Sequence, residues 1–230
     1  MRYFGGKARV AAKIANFING ARGEDQPYWE PFVGGGWILS RVHGKPNYAS
    51  DKHCALIAMW DSLTRGWRPP TCVTAEDYYA AKDLPDSDPR KAFIGFGCSF
   101  AGKWFGGYAK SGSRNYAMNA ANSLDKKMRS MRETSFFCAD FLTDAPPEQG
   151  MLIYCDPPYK GTTGYATGDF DVDAFWKKCK SLSDSGHAVF VSEYTAPAGF
   201  ECVLEVKTHT DIRNSMEEQE ARVERLFTVI

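Results

Sequence analysis

Apolar residues recur at helical spacing near the start of the chain, where Val10, Ile14, Phe17 and Ile18 predict a helix over 8–18 behind Gly5 and Gly6. Residues 28–33 predict a short strand that runs into Gly34, Gly35 and Gly36, after which 37–42 predict the start of a helix. A short extended segment follows at 47–51, then an apolar helix at 55–63. Further on, 135–139, 151–155, 188–192, 203–207 and 223–230 have strand character, and 173–182 fits a helix between two of them. Strands alternating with helices imply an α/β sheet. Between 64 and 133 that rhythm is lost. Pro, Gly, Asp and Ser leave 66–113 without a clean period and a helix returns only at 119–131, so 64–133 is expected to be an insertion in a domain made of 1–63 and 134–230.

Composition narrows the class. The 230 residues are 43% apolar and 24% charged, too apolar for a disordered chain and long enough to bury a core without disulfides. The longest apolar run, Cys54 to Trp60, is far short of the roughly 18 residues of a membrane span, so no membrane partner is expected. The seven cysteines are never spaced C-x-x-C and accompany four histidines, so no metal site is expected, and reduced thiols in a cytoplasmic protein are the expectation.

The balanced charge hides a local excess. Between 103 and 132, Lys103, Lys110, Arg114, Lys126, Lys127, Arg129 and Arg132 face a single acid, Asp125, and Phe96, Phe100, Trp104, Phe105, Tyr108 and Tyr116 are interleaved with them or lead into them. Basic and aromatic residues mixed in this way suit a polyanion with stackable bases, although most charge runs are solvated helix faces.

Two motifs carry candidate chemistry. Glycines 34–36 between a strand and a helix let the backbone approach a ligand, though a tight turn alone would also account for them. Asp51 lies 19 residues after Phe32, at the end of the next strand, where an acid can hold ribose hydroxyls. No Lys-Ser/Thr follows the glycines, which argues against a phosphate loop. The second motif is Asp156-Pro157-Pro158-Tyr159, directly after an apolar strand. Its prolines keep the backbone extended and leave the Pro157 carbonyl able to accept, beside the Asp156 carboxylate and the Tyr159 ring. Two acceptors and a ring suit an exocyclic amine on a flat base.

Together these segments resemble the Dam-like, D12 class DNA adenine N6-methyltransferases. Tyr3-Phe4-Gly5-Gly6-Lys7 is similar to that family's N-terminal element, Glu30-Pro31-Phe32-Val33-Gly34-Gly35-Gly36 to its glycine motif, Ser50-Asp51 to its ribose acid and Asp140-Phe141 to its D-F pair. Ser192-Glu193-Tyr194 and 222–227 also look like family segments. The resemblance implies a seven-stranded, mostly parallel methyltransferase sheet with helices on both faces, and a largely helical target-recognition insert at 64–133. It implies S-adenosyl-L-methionine as cofactor, held by Tyr3, Lys7, Glu30, Phe32, Gly34, Gly36, Asp51, Asp140, Phe141 and Asp156. Asp156, Pro157 and Tyr159 become the catalytic candidates, and double-stranded DNA the partner, held by Arg2, Lys103, Arg114, Lys126, Lys127, Arg129 and Arg132. Alternatives are an RNA- or cytosine-directed amine methyltransferase, an idle DNA-binding protein of the same fold, and a nucleotide-dependent oxidoreductase. The last leaves Asp156-Pro157-Pro158-Tyr159 unexplained.

Overall fold

The computed structural model describes residues 1–158, 170–208 and 222–230. Seven strands form one sheet: β1 (Tyr28–Glu30), β2 (Asn47–Asp51), β3 (Thr134–Cys138), β4 (Leu152–Cys155), β5 (Ala188–Glu193), β6 (Phe200–Thr208) and β7 (Arg222–Val229). Their order is β3-β2-β1-β4-β5-β7-β6, with all neighbours parallel except β7, which runs antiparallel to β5 and β6. This is the methyltransferase-type sheet. Among the described residues six α-helices accompany it: α1 (Ala11–Ala21), α2 (Cys54–Thr64), α3 (Ala75–Ala80), α4 (Pro89–Gly97), α5 (Tyr116–Met131) and α6 (Val172–Asp184). No helix among the described residues is long and apolar enough to cross a membrane.

The central strands β1 and β4 are buried throughout because both faces are covered. Along β4, Leu152 and Tyr154 point into one core with α1, α2, α4 and α5, while Ile153 and Cys155 point into another with Phe175, Trp176 and Cys179 of α6. Tyr28 and Trp29 of β1 divide in the same way, as a two-residue period requires.

Residues 64–133 are more ordered than their composition predicts. Thr74 and Asp77 form a capping box on α3, and Asp88 caps α4 with Pro89 in the first turn. Phe93, Ile94 and Phe96 of α4 join the core around Trp60 of α2, so 64–133 packs on the sheet's own helix layer. Two further expectations are corrected. Residues 37–42 give only a short 3-10 turn, Leu39–Arg41, because the chain must turn back to enter β2 at Asn47. Nor are all seven cysteines thiols: Cys54 and Cys138 form a disulfide. Parallel pairing sets Cys138 beside Asp51, and α2 begins three residues after Asp51, which brings together two cysteines 84 apart in sequence.

Gly36 shows why this turn needs glycine. Its φ is +60°, and an added Cβ would lie 3.1 Å from Met131 Cε and 3.2 Å from the Trp60 ring. Gly36→Ala is expected to cost about 1–3 kcal/mol, the usual strain of a side chain held in the left-handed region. Urea unfolding checks this: the midpoint should fall with an unchanged slope, and an unchanged midpoint would show that the turn is not held in this conformation.

Candidate active site

The strand order reverses between β1 and β4, and open α/β sheets bind ligands in the crevice at the carboxyl ends of the strands at such a point. The glycine turn leaves β1 there, and Asp156-Pro157 leaves β4 beside it. An open cleft lies across both ends. Tyr3, Lys7, Glu30, Phe32, Gly34, Asp51, Asp140, Phe141 and Asp156 all line it. Gly36 is not on its wall; it shapes the turn behind. Pro157 is buried between the cleft residues Asp156 and Pro158. Tyr159 lies outside the described residues, as do 161–169 and 209–220.

Asp51 fastens the turn to the sheet. Its Oδ2 accepts from Gly34 N–H and its Oδ1 from His53 N–H, both at 3.0 Å. Burial pushes its carboxyl up to about 6 despite these donors. The Trp60 indole N–H donates to the Gly34 carbonyl at 3.0 Å, holding the turn from behind. Asp140 pairs with Lys52 at 2.9 Å and accepts from Leu142 N–H, so its carboxyl lies below the usual range. Phe141 and Phe32, with ring centres 5.2 Å apart, form an apolar wall with Phe170.

Glu30 is buried at the floor, where it accepts from the Tyr28 hydroxyl at 2.9 Å. Burial pushes its carboxyl up to about 8 against the donors from Tyr28 and the Leu39 N–H. Lys7 is also buried, with Nζ 2.7 Å from Asp156 Oδ1 and 3.2 Å from Glu224 Oε1. Burial opposes its charge, yet the two carboxylates hold its pKa above the ordinary value.

The basic candidates separate into two groups. Lys126, Arg129 and Arg132 are exposed at the end of α5, with Arg129 3.7 Å from Asp125. Arg2 and Arg114, both exposed, stand over the Tyr116 ring at 5.3 and 5.9 Å, and Lys103 stands 4.9 Å from the Phe4 ring. Lys127 is a correction. It is only 5% exposed, donates to the Gly35 carbonyl and lies 3.5 Å from the Trp37 ring centre. It faces inward because α5 turns it toward the glycine loop; burial, with Arg41 nearby, lowers it to about 7. Of the interleaved aromatics, Phe96 is buried, Phe105 and Tyr108 pack against the core, and Phe100 is exposed.

Sequence reasoning gave no role to His53, Trp37 or Lys52 in the cleft wall, or to Glu224 against Lys7. Trp104, also in the wall, was noted only as one of the interleaved aromatics; it meets His53 edge-on at 4.2 Å. The family-like segment 222–227 was the available signal for Glu224; the others follow from packing.

The fold and cleft define an α/β protein with an open site at the sheet's switch point. The chain belongs to the D12 class N6 adenine-specific DNA methyltransferase family, whose sequence model matches residues 99–226. It is 25% identical over 231 residues to the DNA N-6-adenine-methyltransferase of Escherichia phage P1, covering 85% of this chain and 30% of that protein. It is 38% identical over 97 residues to the retron Ec67 DNA adenine methylase of Escherichia coli, covering 37% of this chain and 34% of that protein. The chain thus spans about a third of the length of these curated relatives. Among solved structures, 23S rRNA methyltransferase ErmE aligns over 98% of this chain and 69% of its own, with 14% identity and a TM-score of 0.45.

Glu30 generates a prediction whose sign runs against intuition. Its folded-state pKa is raised from 4.5 to about 8, so its contribution to stability is full below about pH 4.5 and lost as pH rises through 8. Glu30→Gln does not titrate. Relative to the parent, the variant should therefore gain stability between pH 5 and pH 9, by about a few kcal/mol. Urea unfolding at both pH values measures this, and a difference independent of pH would refute the buried-carboxyl account.

Proposed function

We propose that this chain transfers a methyl group from S-adenosyl-L-methionine to the N6 amine of an adenine turned out of double-stranded DNA, inside a bacterial or phage-infected cell. The observation that carries this reading is the meeting of two motifs at one cleft: buried Asp51 behind the glycine turn, and Asp156 at the end of β4. Family membership supports it.

The residues present fit the cofactor. Asp51 brings a buried carboxylate to the cleft as an acceptor for ribose hydroxyls, and Phe32, Phe141 and Pro158 offer an apolar wall for a flat ring. Asp140 stands beside that wall, with Tyr3, Lys7, Glu30 and Gly34 around the rest of the cleft. S-adenosyl-L-methionine supplies an electrophilic methyl group when bound. The protein's task is alignment, which contributes about 7–11 kcal/mol in favourable cases. Adenine's amine is a poor nucleophile because its lone pair is delocalised into the ring. Asp156 and the Pro157 carbonyl accept its two hydrogens, draw the nitrogen toward tetrahedral geometry and localise that pair. No strong base is needed, since the ammonium product is acidic.

The amine is inaccessible in a duplex, so the base is turned out at a cost of about a few kcal/mol. Residues 64–133 are assigned to holding the DNA. Arg2 and Arg114 line a second cleft that shares Trp37 with the first, Lys103 stands over Phe4 of the first cleft, and Lys126, Arg129 and Arg132 face solvent from α5.

Labelled methyl donor offered with DNA, RNA or no acceptor tests the activity. Label in N6-methyladenine from DNA is expected; label in RNA or cytosine, or none, would overturn this reading in favour of the corresponding alternative. Asp156→Ala should lower kcat by several orders of magnitude while DNA affinity changes little, because the lost bond is made to the reacting amine. Near-normal turnover would reduce Asp156 to a turn residue. For DNA, replacing Lys126 and Arg132 together by Ala should lower the salt slope of binding by about one unit per charge for all sequences alike. An unchanged slope would make that end of α5 a solvated surface.

A further inference from the structure

Three distant segments meet at the Lys7 ammonium. Lys7 precedes α1, Asp156 follows β4, and Glu224 comes from β7, two strands away from β4 in the sheet. The glycine and Asp156-Pro157 motifs do not include Glu224, yet its side chain is almost wholly buried and its Oε1 lies 3.2 Å from Lys7 Nζ. Burying a carboxylate is costly unless it is paired, and Lys7 pairs with it.

The surrounding groups make this arrangement consequential. Glu193, at the end of β5, is half-buried and pushed up by burial, and it feels Lys7, Glu224 and Asp156. Glu30 lies toward Asp156 from β1, and the Tyr154 hydroxyl, bonded to Ser192 at 2.8 Å, is near Asp156, Glu30 and Glu224. One ammonium matched by one carboxylate would form a closed, neutral pair, and Asp156 would be a weak acceptor. One ammonium shared by two carboxylates gives each of them only part of its positive charge.

We propose that Glu224 is a positioning residue of the transfer site: by sharing the Lys7 ammonium with Asp156, it keeps Lys7 charged and in place and leaves Asp156 acceptor strength for the substrate amine. This rests on the transfer reading above. The raised pKa of Lys7 agrees, since both carboxylates support its charge against burial. Without the charge on Glu224, burial gains ground and Asp156 becomes the main counter-ion.

The test compares Glu224→Gln, which keeps shape and removes charge, with Glu224→Asp, which keeps charge on a shorter arm. The first readout needs neither donor nor DNA: the 15N signal of the Lys7 ammonium followed against pH, assigned by its loss in Lys7→Met. Glu224→Gln should lower the midpoint by about one unit, tenfold in the equilibrium, and Glu224→Asp should restore most of it. The second readout is steady-state transfer to duplex DNA. There Glu224→Gln should lower kcat about tenfold with the KM for DNA unchanged, and Glu224→Asp should recover most of the loss. An unchanged Lys7 midpoint, or a raised KM with normal kcat, overturns the proposal. If Glu224→Gln does not fold, Glu224→Asp decides: parental midpoint and rate support a charge role, and a lost rate at an unchanged midpoint overturns it. A parent chain that transfers no methyl group to adenine defeats the transfer reading and the catalytic half of this proposal, while the Lys7 titration still decides the ion-pair half.

Discussion

The placement of β1 between β2 and β4, parallel to both, is the constraint from which the rest of the site follows. Connections leaving β1 and β4 move toward opposite edges of the sheet, so a crevice opens above the boundary between them. Both motif segments begin at that boundary. The glycine turn can stay close to the sheet because Gly34 and Gly36 adopt positive φ, and the backbone then folds back so that Val33 N–H meets the Ser50 carbonyl at 3.0 Å. This puts Asp51, the last residue of β2, directly behind Gly34.

Such a site must hold acids out of water, and each is stabilised locally. Asp51 receives two backbone N–H groups, Glu30 a tyrosine hydroxyl and a backbone N–H, and Asp156 the Lys7 ammonium. Hydrogen bonds to charged groups contribute about 1.5–3 kcal/mol each, which offsets part of the desolvation cost at Asp51 and Asp156, whereas burial keeps Glu30 largely protonated at neutral pH. Because these partners are fixed by strand ends and the turn, the polar groups are oriented before any ligand arrives. Preorganisation of that kind is what alignment-driven catalysis requires.

The regular elements were legible because their hydrophobic period is set by burial. Residues 47–51 coincide with β2, and 151–155 overlap β4, where every residue is buried and apolar. The two motifs were legible because glycine and proline constrain the backbone locally, whatever surrounds them. What was hidden depends on distant pairing. Cys54 meets Cys138, and Glu224 meets Lys7, only after the sheet order is known. The helices α3 and α4 were hidden differently: each is short, and its signal lay in the caps at Thr74 and Asp88 more than in any apolar period.

The basic run around α5 shows how one helix can defeat a charge count. Lys126 and Lys127 are adjacent in sequence, and a helix turns successive residues by about 100°, so the first faces solvent while the second faces the protein. Lys127 meets the Gly35 carbonyl, Ser130 the Ser40 carbonyl at 2.8 Å, and Met131 packs where a Gly36 side chain would stand. Three side chains within about one turn therefore hold the loop that forms the cleft floor, while Lys126, Arg129 and Arg132 remain outside. An apolar residue at 127 could fill the space but could not donate to the Gly35 carbonyl. Lysine suits the place because its long apolar stem spans the packed layer and its ammonium reaches the loop. The charge that looked like part of a DNA surface thus fastens the glycine loop to α5.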